Sequence, residues 1–365
     1  MPDKYTLYGT PLSLYSGKAR AYLTYKQLPF DEVFSSLKVY KKVIIPNTGV
    51  RFIPVVKTPQ NEYLQDTADI IDRLEQRHTQ RPVVPDSPTQ KLVSYLFELW
   101  ADEWLLIPAM HYRWNKENFP FIYQEFGRII VPKMPAFIRS IIGKKIGNKF
   151  KGFVPILGIT HKTIPGIEDW YENDVLLHLN QHFAHHDYLL GGAPTLADFG
   201  LMGPLYAHLF RDPVPGKLMR EKAPNVAQWV ERMNQPITTP GELVADDQIP
   251  ENLLPLLKRL FQEFWPVLTN TVSALEAWAQ ENPEKKEIPR TIGEHSFQIG
   301  EVAGTRVILP FHQWKLQRVL DCYHDLPASH RQTVDKFLNQ VNAPQAMEQV
   351  INKRVTRENN KLVFA

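Results

Sequence analysis

Cysteine is nearly missing from this chain: Cys322 stands alone among 365 residues. A single thiol excludes an intrachain disulfide and any cysteine-built metal cluster, and it fits a reducing compartment. No run of 18 or more apolar residues occurs, which argues against a membrane-spanning helix. The opening "MPDKYTLYGT" lacks the apolar stretch of a secretory signal, so a cytoplasmic location is expected. Charge of one sign is scarce as well, with 42 Lys and Arg against 39 Asp and Glu and a net of +3. Without zinc-finger spacing, an RNA-binding signature or a sustained basic face, nucleic acid is not an expected partner. Internal repeats and low-complexity tracts are lacking too. What is there is 43% hydrophobic and 22% charged, the composition of a globular protein with a sizeable core. The length suits two or three domains.

Residues 5–80 alternate short strand-like and helix-like pieces. "KYTLYG" reads as a strand, "SGKARAYLTYKQL" as a helix and "PFDEVFSS" as a second strand. An irregular stretch follows, then "FIPVVKTPQNEYLQD" as two strands around a turn at Thr58–Asn61, then the amphipathic helix "TADIIDRLEQRH". "RPVVPDSP" (81–88), with three prolines, marks a linker. From Thr89 to Met233 helical spacing dominates, beginning with "TQKLVSYLFELWADEWLLIPAMHYRW", one long helix bent at Pro108. A further module closes the chain: "NLLPLLKRLFQEFWPVLTNTVSALEAWAQ" is helical, "HSFQIGEVAGTRVILPF" gives two strands around "EVAG", and "NKRVTRENNKLVFA" gives a hairpin. The expected boundaries are 1–82, 83–237 with a basic insertion near 115–166, and 238–365 as an extension packed on the core.

Three stretches besides the opening loop carry candidate chemistry. Ile53-Pro54 stands just ahead of a strand and suits either a cis or a trans peptide. In the cis form, Ile53 would leave its N–H and C=O free at a sheet edge, where a short peptide can pair antiparallel. Thr67 is a good N-cap with Asp66 before it. Such a helix start suits a carboxylate, while Asp66 offers a charge to an ammonium. A γ-glutamyl group carries both on one carbon. A plain helix cap satisfies the same residues. In "YLLGGAPTLADFGL", Thr195 and Asp198 have capping-box spacing, a structural device rather than a catalytic one.

Together with "LYGTPLSLYSGKARAYLTYKQLPF", these stretches resemble the glutathione transferase superfamily. The opening aligns without a gap to the family's serine-type start, "IPVV" is similar to its cis-proline motif, and "LQDTADIIDRLE" to its "ES-x-x-I" element with Asp66-Thr67 in place of Glu-Ser. "YLLGGAPTLADFGL" is similar to its "FLLG-x-x-x-S/T-x-A-D" element. The resemblance spans about residues 4–233, with the four motifs in order. It implies a thioredoxin-like α/β N-terminal domain followed by an all-α domain. The α+β module beyond 236 lies outside the shared core and resembles no named family.

The resemblance further implies that glutathione binds as co-substrate along Ile53, Pro54, Asp66 and Thr67, and that a hydroxyl stabilises its thiolate. Ser13 matches the family's serine. An isolated thiol has a pKa of about 8.5, so lowering it by one to two units takes roughly 1.4 to 2.8 kcal/mol. A hydrogen bond to a charged acceptor contributes roughly 1.5 to 3 kcal/mol and a helix N-terminus about 0.3 to 1. Ser13 with the helix dipole is therefore sufficient in size. Its rivals are Ser16, better read as the N-cap of a helix starting at Gly17, Tyr15 in the loop, and Tyr8 near the end of the first strand. A homodimer is the family habit, and no metal is implied.

Weaker signals remain. His178, His182 and His185 share a helical face, with His186 beside them, and read as an exposed polar face more readily than as a zinc site. Residues 126–167 hold eight Lys or Arg and no Asp or Glu, so the rest of the chain carries −5. The segment suits intramolecular packing first, a lid over the cleft second and a membrane surface third. Trp100, Trp104, His111 and Trp114 fall on the first long helix and read as core before substrate pocket. The leading expectation is a transferase that attacks an apolar electrophile with glutathione thiolate. The alternative is a non-catalytic binding or scaffold protein of the same fold, associated with a membrane surface in one version.

Overall fold

The computed structural model describes residues 4–365, which divide into two compact units, each built from three stretches of chain. The first comprises the chain up to Val83, Ala109–Val154 and Phe199–Pro240; the second comprises Val84–Pro108, Pro155–Asp198 and Gly241–Ala365.

The first unit contains a four-stranded sheet in the order β2-β1-β3-β4, with β1 Tyr5–Gly9, β2 Phe30–Phe34, β3 Val55–Lys57 and β4 Tyr63–Gln65. β1 and β2 run parallel, joined through the helix Leu14–Tyr25, as a parallel pair requires a crossover. β3 returns antiparallel to β1 and β4 antiparallel to β3. Alternation along β1 buries Tyr5, Leu7 and Gly9. The helix Thr67–Arg77 buries Ile70, Ile71 and Leu74, one apolar stripe at helical spacing. This is the expected thioredoxin-like mixed sheet with helices.

The stretch expected to be irregular is helical over 37–48. Ser36 caps it by accepting the Val39 N–H, and Gly49 ends it with φ 71°. A π-helical turn over Tyr40–Ile44 precedes Pro46, so the proline enters without having to donate an interior hydrogen bond. Its β-branched residues and Pro46 disguise the helix in the sequence.

The insertion folds as a helical hairpin, Phe119–Ile130 and Ala136–Lys151. Its helices meet at glycines: a Cβ on Gly127 would lie 2.2 Å from the Arg139 carbonyl oxygen, and one on Gly143 would lie 2.1 Å from that of Tyr123. Any larger residue there must part the two backbones.

The long tryptophan helix is not continuous. Pro88–Glu103 ends before Pro108, and Leu106–Arg113 begins anew. A proline at 108 clashes with the carbonyl four residues back, that of Trp104, so the break falls at 104–105 rather than at the proline. The start of Pro88–Glu103 is held from far along the chain, by the Asp247 carboxylate accepting the Thr89 N–H at 2.8 Å and the Gln90 N–H at 2.9 Å. Trp104 stacks on Phe264 at 4.9 Å, and Trp100 meets Trp170 edge-on at 6.0 Å. Lys315 pairs with Asp102 at 2.7 Å, both buried.

The extra strands form two hairpins. β5 Glu294–Ile299 pairs with β6 Val302–Val307, turning at Gly300-Glu301 rather than around the whole of "EVAG". β7 Val355–Glu358 pairs with β8 Lys361–Phe364. Asp198 fulfils the capping-box expectation by accepting the Thr195 N–H at 2.9 Å, and it also takes the Leu189 N–H at 3.0 Å. The histidine face is corrected at one position. His182 is fully buried and bonds the Tyr188 carbonyl oxygen at 3.1 Å, while its ring stacks on His186.

Candidate functional site

The first unit holds a cavity of about 510 Å³. Its walls come from the loop after β1, the 37–48 helix, residues 51–53 and both helices of the insertion hairpin. Most of the lining is apolar, including Leu12, Ile53, Trp114, Phe126 and Ile146. Lys41, Arg51 and Arg113 also line it, and no carboxylate does. A cavity so lined favours an apolar ligand that carries negative charge.

Ser13, Tyr15 and Ile53 line this cavity, whereas Tyr8, Ser16, Pro54, Asp66 and Thr67 do not. The helix-capping role expected of Ser16 falls to Ser13. Ser13, not Ser16, is the N-cap of the first helix, which begins at Leu14; its Oγ accepts the Ser16 N–H at 3.2 Å. Ser13 is extended (φ −90°, ψ 126°), as a capping residue must be. Its hydroxyl hydrogen, which the cap does not use, remains to donate. Ser16 is fully buried, accepts the Thr10 N–H at 3.2 Å and packs on Gly9, whose Cβ would lie 2.9 Å from its Oγ. The sequence left the two apart because both serines precede a helical run within one turn.

Tyr15 stands in the first turn of that helix. Tyr8, on β1, stacks its ring on Tyr63 at 6.4 Å. Burial, and then Tyr63, push the Tyr8 hydroxyl pKa above its ordinary value.

The Ile53-Pro54 bond is cis. Ile53 itself lies outside the β3 ladder, which begins at Val55. At the next helix start the cap is Asp66, which accepts the Ala68 N–H at 2.9 Å, and Thr67 is the first helical residue, one position on from the expectation. Asp66 has φ 77° and ψ 136°, an unfavourable conformation for any residue but glycine. Strain of this kind, of order 1 to 3 kcal/mol, persists where the surroundings fix it and concentrates at functional sites.

One group the sequence did not disclose organises the loop after β1. Arg113, at the end of the helix Leu106–Arg113, donates from Nη1 to the Leu12 carbonyl oxygen, next to Ser13, and from Nη2 to that of Ala207. His208 also reaches the cavity wall, its Nδ1 3.0 Å from the Ala109 carbonyl oxygen. Burial, then the charge of Arg113, hold His208 well below the usual histidine range, so it is neutral at pH 7. Among the described residues no group of three or more His, Cys, Asp or Glu is placed to hold a metal ion.

Two family models match the chain in order: the glutathione S-transferase N-terminal domain over residues 7–82 and the glutathione S-transferase C-terminal domain over 168–236. Residues between and beyond them, including the insertion hairpin and the closing module, are unmatched. These two stretches are those of the glutathione transferase superfamily, N-terminal and C-terminal domain in the family's order. Among solved structures it is similar to a glutathione S-transferase from Rhodospirillum rubrum F11 (14% identity, 68% of this chain and 96% of that one, TM-score 0.41). It is also similar to a GST-like protein from Pseudomonas syringae (20%, 69% and 80%, TM-score 0.41). A third is a glutathione S-transferase from Methylobacterium radiotolerans in complex with glutathione sulfonate (18%, 66% and 100%, TM-score 0.36). No curated protein matches the chain.

Proposed function

We propose that the protein is a glutathione-dependent transferase in which Ser13 stabilises the thiolate of glutathione for attack on an apolar electrophile. The observation that carries this reading is the placement of Ser13. It caps a helix, lines an apolar and carboxylate-free cavity, and keeps its hydroxyl hydrogen for a ligand. The Ser16 N–H fixes the serine oxygen, and accepting that bond polarises the O–H toward donation. Ile53, outside the strand ladder, supplies backbone for the tripeptide, and the strained Asp66 with Thr67 marks the γ-glutamyl end. In the reaction the thiolate sulfur forms a bond to carbon and the displaced group leaves with the bonding pair. Lys41 and Arg51 offset the negative charge brought into the cavity. With one buried thiol, the chain suits a reducing cytoplasm, and a homodimer is the expected assembly.

Retention on immobilised glutathione, followed by titration of the bound thiol through its thiolate absorbance, tests this reading. Wild-type protein should bind and hold the thiol pKa one to two units below the free value. Ser13→Ala should return it toward about 8.5 and lower kcat/KM for an aryl halide about tenfold or more. Binding with an unchanged thiol pKa in the Ser13→Ala variant would move the donor to another lining hydroxyl, Tyr15 first. A folded protein that does not bind glutathione removes the proposal.

A further inference from the structure

The insertion hairpin has two faces. One lines the cavity, through Phe126, Ile129 and Ile146. The other faces solvent and is not polar. Met134 at the bend is 48% exposed, Phe137 67% and Ile141 65%. Phe137 and Ile141 are four residues apart in one helix, so they stand on one stripe. The stripe continues one turn on into Lys144 and Lys145, both exposed, and Lys133 and Lys149 flank it.

Most of the charge is not cancelled locally. Residues 126–167 carry eight Lys or Arg and no Asp or Glu. The adjoining Glu125 is committed to Arg128 at 2.8 Å and to Arg211. The close glycine contacts at Gly127 and Gly143 hold the two helices together, so the apolar and basic groups keep their relative positions.

A symmetric pairing with a second copy of the chain fits this face poorly, because it would set one basic segment against another. A polyanion such as nucleic acid would engage the lysines and leave Phe137 and Ile141 with no role. An anionic bilayer surface satisfies both. Aromatic and aliphatic side chains enter the headgroup boundary, while lysines extend to the lipid phosphates. Among the described residues no helix is long and apolar enough to cross a membrane, which leaves surface binding as the mode.

We propose that the solvent face of the hairpin docks the protein onto an anionic membrane surface, with Met134, Phe137 and Ile141 entering the headgroup region and Lys133, Lys144, Lys145 and Lys149 contacting lipid phosphates. The proposal is independent of the thiol chemistry.

Co-sedimentation of the full chain with vesicles tests it. Binding should occur to vesicles of phosphatidylcholine mixed with phosphatidylglycerol, weaken by tenfold or more on raising the salt, and be lost on pure phosphatidylcholine. Lys144→Ala with Lys145→Ala should lower partitioning at least tenfold, since each cation near such a surface contributes about fivefold. Phe137→Ser with Ile141→Ser should lower it as well without moving Tm, both side chains being solvent-facing. Failure to bind the mixed vesicles at low salt overturns the proposal. So does undiminished vesicle binding by the Phe137→Ser, Ile141→Ser variant, which would mark a bare polyanion patch. Self-association that this variant abolishes, with no vesicle binding, would assign the face to a second copy and overturn it equally.

Discussion

The guanidinium of Arg113 and the carboxylate of Asp212, 99 residues apart, form a two-bonded ion pair inside the first unit. Nε meets Oδ2 at 2.7 Å and Nη2 meets Oδ1 at 2.8 Å. Asn118 adds a third bond to the same carboxylate at 2.9 Å. Both charged side chains are buried, and the arginine's remaining donors hold the carbonyls of Leu12 and Ala207.

Removing one partner strands the other charge. Asp212→Ala is therefore expected to cost about 3 to 5 kcal/mol, read as a lowered denaturant midpoint. Replacing both, as Arg113→Met with Asp212→Leu, should recover much of that loss. The double variant should still bind glutathione less well, because Leu12 beside Ser13 has lost its anchor. Full recovery of binding would separate the pair from the loop.

Asp66 combines a cap with an unfavourable backbone, and the two effects can be separated. Asp66→Asn keeps the acceptor and carries the same backbone strain, so its stability should lie within about 0.5 kcal/mol of wild type. Asp66→Ala loses the cap and keeps the strain, and should cost about 1 to 2 kcal/mol by chemical denaturation. If the Asp66 carboxylate also meets an ammonium, Asp66→Asn will weaken glutathione retention without changing stability.

Gly143 reverses the usual propensity rule. Alanine is favoured over glycine in a helix by about 1 kcal/mol. Here the added methyl would lie 2.1 Å from the Tyr123 carbonyl oxygen. Gly143→Ala should therefore destabilise the hairpin, by about 1 to 3 kcal/mol, seen as faster amide exchange across Phe119–Ile130. Unchanged or slower exchange would show that the helices can separate at little cost.

Four buried histidines give the protein an acid limit. Burial first lowers His182 to about 4, with the Tyr188 carbonyl opposing and neighbouring histidines assisting. Burial, then Arg306 and His312, lower His295 to about 4. His208 and His312 are also lowered, again chiefly by burial. The unfolded chain binds protons near pH 6.5 that the folded chain refuses. Stability is thus full above about pH 6.5 and falls as the pH drops toward 4, where His182 and His295 begin to protonate in place. Each of these two contributes a fall of about 3 kcal/mol across that window. Midpoints measured from pH 7 to 4 should decline, and His295→Gln should flatten the decline.

Cys322 is buried, and burial pushes its thiol up to about 11. A thiolate reagent at pH 8 should find no reactive group in the folded protein and one after unfolding. Reaction at the native rate of a free thiol would show that the helix Phe311–His324 opens readily.

Legibility in the sequence followed locality. β1 and the Thr67–Arg77 helix were readable because their alternation and apolar stripe are written in consecutive residues. Each of the two caps was misplaced because both neighbouring residues, Ser13 with Ser16 and Asp66 with Thr67, are good capping types. The 37–48 helix was hidden by β-branched residues and Pro46, which a π-helical turn accommodates. The cavity and the Arg113–Asp212 pair were not legible at all. Their parts come from distant stretches of chain, and no periodicity links residue 12 to 113 or 113 to 212.

Each compact unit is made of three stretches that alternate along the chain. A ribosome therefore releases the last stretch of the first unit only on passing Pro240, and the second unit lacks its largest stretch until Ala365 is made. At roughly 5 to 20 residues per second, that second unit waits on the order of ten seconds with Trp104 lacking its stacking partner Phe264. A message cut short after residue 240 would yield a chain in which Trp104 never meets Phe264, a substrate for chaperones and proteases.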